Sequence, residues 1–351
     1  MAFLDRVLDP PSYGYIRNNQ LYVPSRNEIF KEFFTRLNPL TSRKSWLPFF
    51  SWFVVLFLAP FFFVFLFKYF TWKLFLIAFL YSMVILGTHG TIYLHRYSTH
   101  HAFTIKNRFW LFILRNMVVK LIPEEVYVVS HHVHHYISEK PGDPYNVYGG
   151  WLYCFLADVN HQAIARDFTP EEYAKTVTLV RHTGMGVNNY EQYQKWGSIA
   201  HPARTLFQFF TNWAFWFGVF YLIGGLPLAV TIFGSCAFWA VGVRTFNFDG
   251  HGGGKDKRKD GIDFNRADLS INQLWPGLVT GEWHNNHHLY PNGIRAGFLP
   301  YQWDYAWLFI VFYKWIGGID STRDHKAQFM ARYYEPYLRQ KEVAKVAQKH
   351  A

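Results

Sequence analysis

Only two cysteines occur in the 351 residues, Cys154 and Cys236, far apart and outside any CxxC. That excludes a disulfide framework and a thiolate metal site, and leaves both as reduced bystanders. Acidic residues are also scarce: 24 Asp and Glu stand against 35 Lys and Arg, a formal net charge of +11. No HExxH sets a carboxylate base beside a histidine pair, which argues against a hydrolytic zinc enzyme. Gly252 to Lys255 lacks the GxxxxGK[ST] spacing of a phosphate-binding loop, and there is no GxGxxG for a dinucleotide. The start, from Met1 through Asp5 to Pro10 and Pro11, lacks the basic-then-apolar order of a cleavable signal, so membrane insertion has to rest on internal segments.

Apolar residues are plentiful. Half the chain is hydrophobic and 21% is aromatic, with 36 Phe, 23 Tyr and 14 Trp. This is the composition of a lipid-facing chain. Leu47 to Phe67 is free of charge over 21 residues, which at about 1.5 Å per residue crosses a bilayer core, with Pro60 a possible kink. A second run, Leu74 to Tyr93, follows a short polar interruption and completes a hairpin. Leu206 to Gly224 and Leu226 to Val243 form another, turning at Gly224, Gly225 and Pro227. Lys31, Arg36, Arg43 and Lys44 precede the first run, and Arg96, Lys106, Arg108, Arg115 and Lys120 lie in the long middle loop. The turn at Gly224 carries no charge. The positive-inside rule then puts both termini, the middle loop and every histidine motif on the cytoplasmic face.

The expected fold is an all-α integral membrane protein with four transmembrane helices in two hairpins. Interfacial helices and a cytosolic helical cap would hold a histidine-rich dimetal site. Phe109 to Ile122 and Tyr301 to Trp315 read as interfacial segments, and the tail after Tyr334 as a basic surface helix. The division follows: an N-terminal cytosolic or interfacial segment over 1–46, a membrane and catalytic domain over 47–300, and an interfacial helix with a basic tail over 301–351. The positive charge suits an anionic leaflet better than nucleic acid, which is not an expected partner.

The 17 histidines are not scattered. HxxHH occurs twice, at His131, His134, His135 and at His284, His287, His288, and HxxxxH once, at His95 and His100. In HxxHH the residues three and four positions on return beneath the first, so one helix can offer several imidazoles to a small volume. HxxxxH is different, because five steps of about 100° leave its rings apart on a straight helix. A break after His95, or two metals, would reconcile them. Each motif alone has a bland reading as a solvated basic face; three of them flanking membrane hairpins on one side do not. Imidazole suits iron, copper, nickel and zinc, so ligand type leaves the metal open, but eight histidines exceed one site with an open position and point to two. His89, His101 and His132 rank as structural or supporting, with His101 the rival of His100. A metal transporter would need ionisable groups along a path in the bilayer, and the four runs hold almost none apart from His89.

The order HRYSTH (His95 to His100), HHVHH (His131 to His135), DPYN (Asp143 to Asn146) and HNNHH (His284 to His288) resembles the membrane-bound fatty acid desaturases, in particular the acyl-CoA Δ9 branch, over about residues 47 to 300. The resemblance implies a di-iron centre using O2, with His95, His100, His131, His134, His135, His284, His287 and His288 as ligands. It adds His251 as a ninth ligand and Asn247 as a ligand through water, matching that branch's NxxxH element; by itself His251 reads as part of a Gly-rich loop. Asp143 and Asn146 are candidates for orienting ligands, and equally for a plain Asp-Pro turn. Two departures stand out. Val129 and Ser130 occupy the place of the Arg-Asp pair that meets coenzyme A, and Gly281-Glu282-Trp283 is one residue shorter than the usual lead into the third motif.

The implied activity is insertion of a double bond into a long acyl chain lying in an apolar tunnel, its polar end outside. Lys255, Lys257, Arg258, Lys259 and Arg295 are candidates for an anionic head, although positive-inside charge explains most of them. With no HPGG haem signature, electrons would come from a separate ferredoxin or cytochrome b5-like donor. A related di-iron hydroxylase, an acetylenase and a 1-alkene-forming decarboxylase share the same motifs and remain as alternatives.

Overall fold

The first apolar run folds as the helix Trp46–Val64, continued by wider π turns to Tyr69. Its near-unbroken apolar sequence leaves no polar face, so the helix is stable only where its whole circumference meets lipid or other apolar helices. The computed structural model describes residues 3–273 and 283–350. Among them, three helices are long and apolar enough to cross a membrane, over Arg43–Tyr69, Trp72–Thr99 and Pro202–Gly250. The shortened lead at Gly281 and Glu282 lies outside the described residues.

The third of these is broken. Gly224 (φ −143°, ψ 19°) and Gly225 (φ 67°, ψ −170°) leave helical geometry, the second in a region that only glycine enters readily. Ring contacts show that the chain reverses there. Before the break, Phe209, Trp213 and Phe217 meet Phe50, Phe57 and Phe61 in ascending order. After it, Phe233 meets Phe61, while Arg244 lies over the ring of Trp52 and donates to the carbonyl of Ser51, a descending order. Phe217 and Phe233 touch across the hairpin, with centroids 5.3 Å apart. The Trp72–Thr99 helix runs beside the returning half: Ala78 packs near Val230, and Gly90 faces the ring of Trp239. The end of Trp72–Thr99 and the end of the returning half therefore lie where the first helix begins.

At that end sits the helical cap. Glu124–Ile137 buries Val126, Val128, Val129 and Val133 in the main core. Short helices at Pro170–Val180 and Tyr190–Trp196 pack outside it, each opened by a capping box, from Thr169 to Glu172 and from Asn189 to Gln192. The cap is tied to the bundle by buried ion pairs. Arg96 meets both carboxylate oxygens of Asp304 and donates to the carbonyl of Ile294.

The chain is mostly helical but not all-α as expected. Two short antiparallel pairs are present, Ile16–Arg17 with Gln20–Leu21 and Phe103–Ile105 with Ile319–Thr322. The second forms because the helix stops at His101, whose φ of +49° cannot continue it. The next residues then alternate buried and exposed and need backbone partners. Of the interfacial segments expected, Arg108–Asn116 and Tyr305–Trp315 are helices, and the basic tail is the exposed helix Glu335–His350.

Candidate metal centre

The HxxxxH motif lies on the last turns of the Trp72–Thr99 helix, and those turns are π-helical from Thr91 to Thr99. The amide of His100 donates to the carbonyl of His95 at 3.1 Å, five residues back. This wider turn brings His100 beneath His95, their ring centroids 4.9 Å apart. The helix thus reconciles the HxxxxH spacing by changing pitch, rather than by a break after His95 or by sending the two rings to different metals, since both fall in one group. Such π turns are favoured at functional sites because they re-aim side chains at a cost in packing.

The two HxxHH motifs share one logic. In each, the outer pair four residues apart points to one place and the middle histidine to another. His131 and His135 join His95, His100 and His287 in one group of five; His284 and His288 join His134 and His251 in a group of four. Within each group the nearest ligand atoms lie within 4.8 Å of one another. Rather than filling one small volume each, both triplets serve both groups. His134 and His288, in the second group, stand beside His135 of the first, with centroids 5.5 and 4.5 Å away.

These contacts fit metal ligation better than hydrogen bonding. His287 Nε2 lies 2.8 Å from His95 Nε2 and 3.0 Å from His135 Nε2, which itself is 3.2 Å from His131 Nε2. His284 Nε2 is 3.1 Å from the Nε2 atoms of both His251 and His288. One imidazole proton serves one pair, so convergence of several lone-pair nitrogens calls for a shared cation. The Nε2 atoms of His100 and His134 are buried with no hydrogen-bond partner, as a ligand atom would be.

Burial keeps most of these rings neutral. It pushes His131, His135, His284 and His287 well below the ordinary imidazole range, and neighbouring histidines push the same way. His288 falls to about 4, since burial outweighs the pull of Asp268. His134 goes the other way: burial lowers it, but the charge and hydrogen bond of Asp143 raise it further.

A belt of carboxylates orients the four-histidine group. Asp143 Oδ1 accepts from His134 Nδ1 at 2.9 Å, Glu139 Oε1 from His251 Nδ1 at 2.8 Å and Asp268 Oδ2 from His288 Nδ1 at 2.7 Å. Each bond fixes the tautomer that turns the Nε2 lone pair inward. Among the described residues no carboxylate bonds a histidine of the five-membered group. Asp143 also receives the amide of Glu139, which holds Glu139 at φ +63°, a strained setting for a non-glycine residue.

The other expected residues fall as follows. Asn146 caps a turn, accepting from the Tyr148 amide and donating to the Lys140 carbonyl, which is the Asp-Pro turn reading. Asn247 lines a cavity with Tyr127, Tyr145 and Phe246, and its carbonyl accepts from the His251 amide. His101 packs on His182, 4.2 Å between centroids, and belongs to neither group. His89 bonds the Leu114 carbonyl. Val129 and Ser130 are fully buried, and the Ser130 hydroxyl bonds the Val126 carbonyl and the Tyr145 hydroxyl. Arg258 and Arg295 pair with Asp256 and Asp324, whereas Lys255, Lys257 and Lys259 are exposed.

Sequence reasoning missed Glu139, Asp268 and the two asparagines of HNNHH. Glu139 follows His135 by four residues, a helical spacing that carries a weak signal; Asp268 has no local signal at all. Asn285 holds Asn265 and Ser270, and Asn286 holds Ala296 and Gln302. Together they fix a helix only six residues long, His284–Leu289.

A family model described as fatty acid desaturase matches residues 70–316. The chain is 24% identical to the sn-1 stearoyl-lipid 9-desaturase of Synechocystis sp., over 86% of this chain and 90% of that one. It is 26% identical to the acyl-CoA C20 Delta5-desaturase of Anemone leveillei, over 71% of this chain and 73% of that one.

Proposed function

The chain belongs to the fatty acid desaturase family, a family of oxidoreductases, and from that premise we propose an O2-dependent fatty acyl desaturase with two irons per chain. The observation that carries this reading is the division of nine histidines into adjoining groups of five and four. His95, His100, His131, His135 and His287 would hold one iron, and His134, His251, His284 and His288 the other, with Asn247 a candidate to reach it through water. A bound iron pair would supply the activation of O2 needed to take hydrogen from an unactivated methylene.

The protein's own part is positional. Asp143, Glu139 and Asp268 keep three imidazoles in the ligating tautomer, and Tyr127, stacked on His131 with centroids 5.1 Å apart, walls the cavity beside the first group. Leu121, Ile122, Val126 and Val243 supply the apolar side of that cavity for the acyl chain, while Ser51, Gln162 and the Arg244–Asp158 pair make its other side polar. Four crossings, two on either side of the middle loop, place the centre and both termini on the cytoplasmic face, where a separate ferredoxin or cytochrome b5-like protein delivers two electrons per turnover.

The test is the lipid profile of a host making the chain, read by gas chromatography and mass spectrometry. The wild type yields a new internal monoene, and His134→Ala and His287→Ala, one from each group, each lose it by at least 100-fold while still inserting. Full product from both variants, or a protein holding stoichiometric zinc and no iron, overturns the reading. A hydroxy acid or a shortened 1-alkene as sole product keeps the metal centre and replaces the outcome.

A further inference from the structure

A second cavity adjoins the one beside the histidines, and Leu121 and Ile122 wall both. It measures about 40 Å³ and is lined by Leu86, Tyr93, Trp239 and, unexpectedly for an apolar channel, Arg115 and Lys120. That is room for a small polar head and little more.

The charges here do not balance. Arg115, Lys120 and Glu124 are buried together, their side chains 9%, 7% and 5% exposed. Arg115 takes Glu124 Oε1 at 2.7 Å and spends its remaining fork on the carbonyl of Gly184 and on Gln208. Tyr93 donates to the same Glu124 oxygen. Lys120 is left as the surplus cation. Its ammonium has one long bond, 3.4 Å to that already shared oxygen, and stands 6.0 Å from the ring centres of Tyr93 and Phe209. His89, also on this cavity, is committed to the Leu114 carbonyl. A buried cation without an anion of its own is costly, and pairing with one removes the cost.

We propose that Lys120 receives the carboxylate of a long-chain free fatty acid, with the adjoining methylenes lying along Leu121 and Ile122 toward Tyr127. This rests on the acyl-chain reading above and names the head group of the substrate: a free carboxylate, which an uncharged thioester or ester carbonyl does not match. Burial pushes Lys120 down to about 8, Glu124 pulling it back and Arg115 opposing, so the ammonium keeps its proton at neutral pH.

The experiment is a tryptophan-fluorescence titration of the full chain in lipid nanodiscs with hexadecanoate and with hexadecan-1-ol, equal in length and differing in the head. Hexadecanoate binds at least tenfold more tightly to the wild type, and Lys120→Gln or the similarly shaped Lys120→Met brings the ratio to about one without weakening the alcohol. Two variants guard against one failing to fold. Equal affinities in the wild type, or a tenfold preference that survives loss of Lys120, overturn the proposal while leaving the long-chain reading intact. Saturable binding of neither ligand overturns both.

Discussion

At the scale of single residues, the two histidine groups differ in their outer partners, and the difference has a measurable consequence. Glu139 carries the Nδ1–H of His251 and the amide of Leu269 on one oxygen. Glu139→Ala frees the His251 ring to rotate or take the wrong tautomer, which typically weakens metal affinity about 10–100-fold. Metal content by plasma mass spectrometry after a desalting column should fall from about two per chain toward one, and Glu139→Gln, which still accepts a hydrogen bond, should retain most of it. Unchanged metal in Glu139→Ala would show that the belt does not position this group. The nine histidines themselves were legible as motifs, His251 only through the family resemblance. Their partition was not legible, because which ring of HxxHH faces which neighbour depends on a second helix crossing it. Asn146 shows the limit in the other direction: although it stands beside Asp143 in sequence, its side chain bonds Lys140 and Tyr148 within the turn.

At the scale of elements, hydrophobic length announced the membrane helices and glycine announced the turn, but the pitch of the helix carrying His95 and His100 stayed hidden. Nothing in Thr91–Thr99 spells a π turn; what the wider winding achieves, seating His100 against the rings of His131, His135 and His287, involves residues outside the segment. Helix packing has its own single-residue signature. A Cβ on Gly234 would lie 2.7 Å from the Cα of Phe62 and 2.9 Å from its amide nitrogen, so the returning half touches the first helix backbone to backbone. Gly234→Ala cannot be relieved by turning a side chain, and we expect it to destabilise by about 1–3 kcal/mol. Gly218→Ala, with nothing within 4 Å of its Cβ, should be neutral or slightly stabilising. Thermal denaturation midpoints in the same detergent compare the two; equal midpoints would mean that the close approach is not real.

At the scale of the whole molecule, the two helical hairpins bring segments nearly two hundred residues apart to one end of the bundle. That end is assigned to the cytoplasm by charge alone, so it needs its own measurement. Both native cysteines are buried and leave a quiet background for labelling. Lys345→Cys, on the exposed tail helix, should react with a membrane-impermeant maleimide only from the cytoplasmic side. Leu222→Cys, 85% exposed beside the Gly224 turn, should react only from the opposite side. Labelling of both from one side would refute the four-crossing arrangement.

Composition, apolar run length and the spacing of histidines determined by themselves that this chain lives in a membrane and gathers imidazoles, since those are local properties of a helix and its solvent. Tertiary structure alone decided that the imidazoles divide five and four. It also decided that a carboxylate belt serves one group, and that Lys120 is buried with Arg115 and a single carboxylate, Glu124, beside a cavity adjoining the histidines. Each of these depends on atoms from separate helices meeting in a dry interior, where an unpaired charge or a misdirected lone pair is costly enough to select one arrangement.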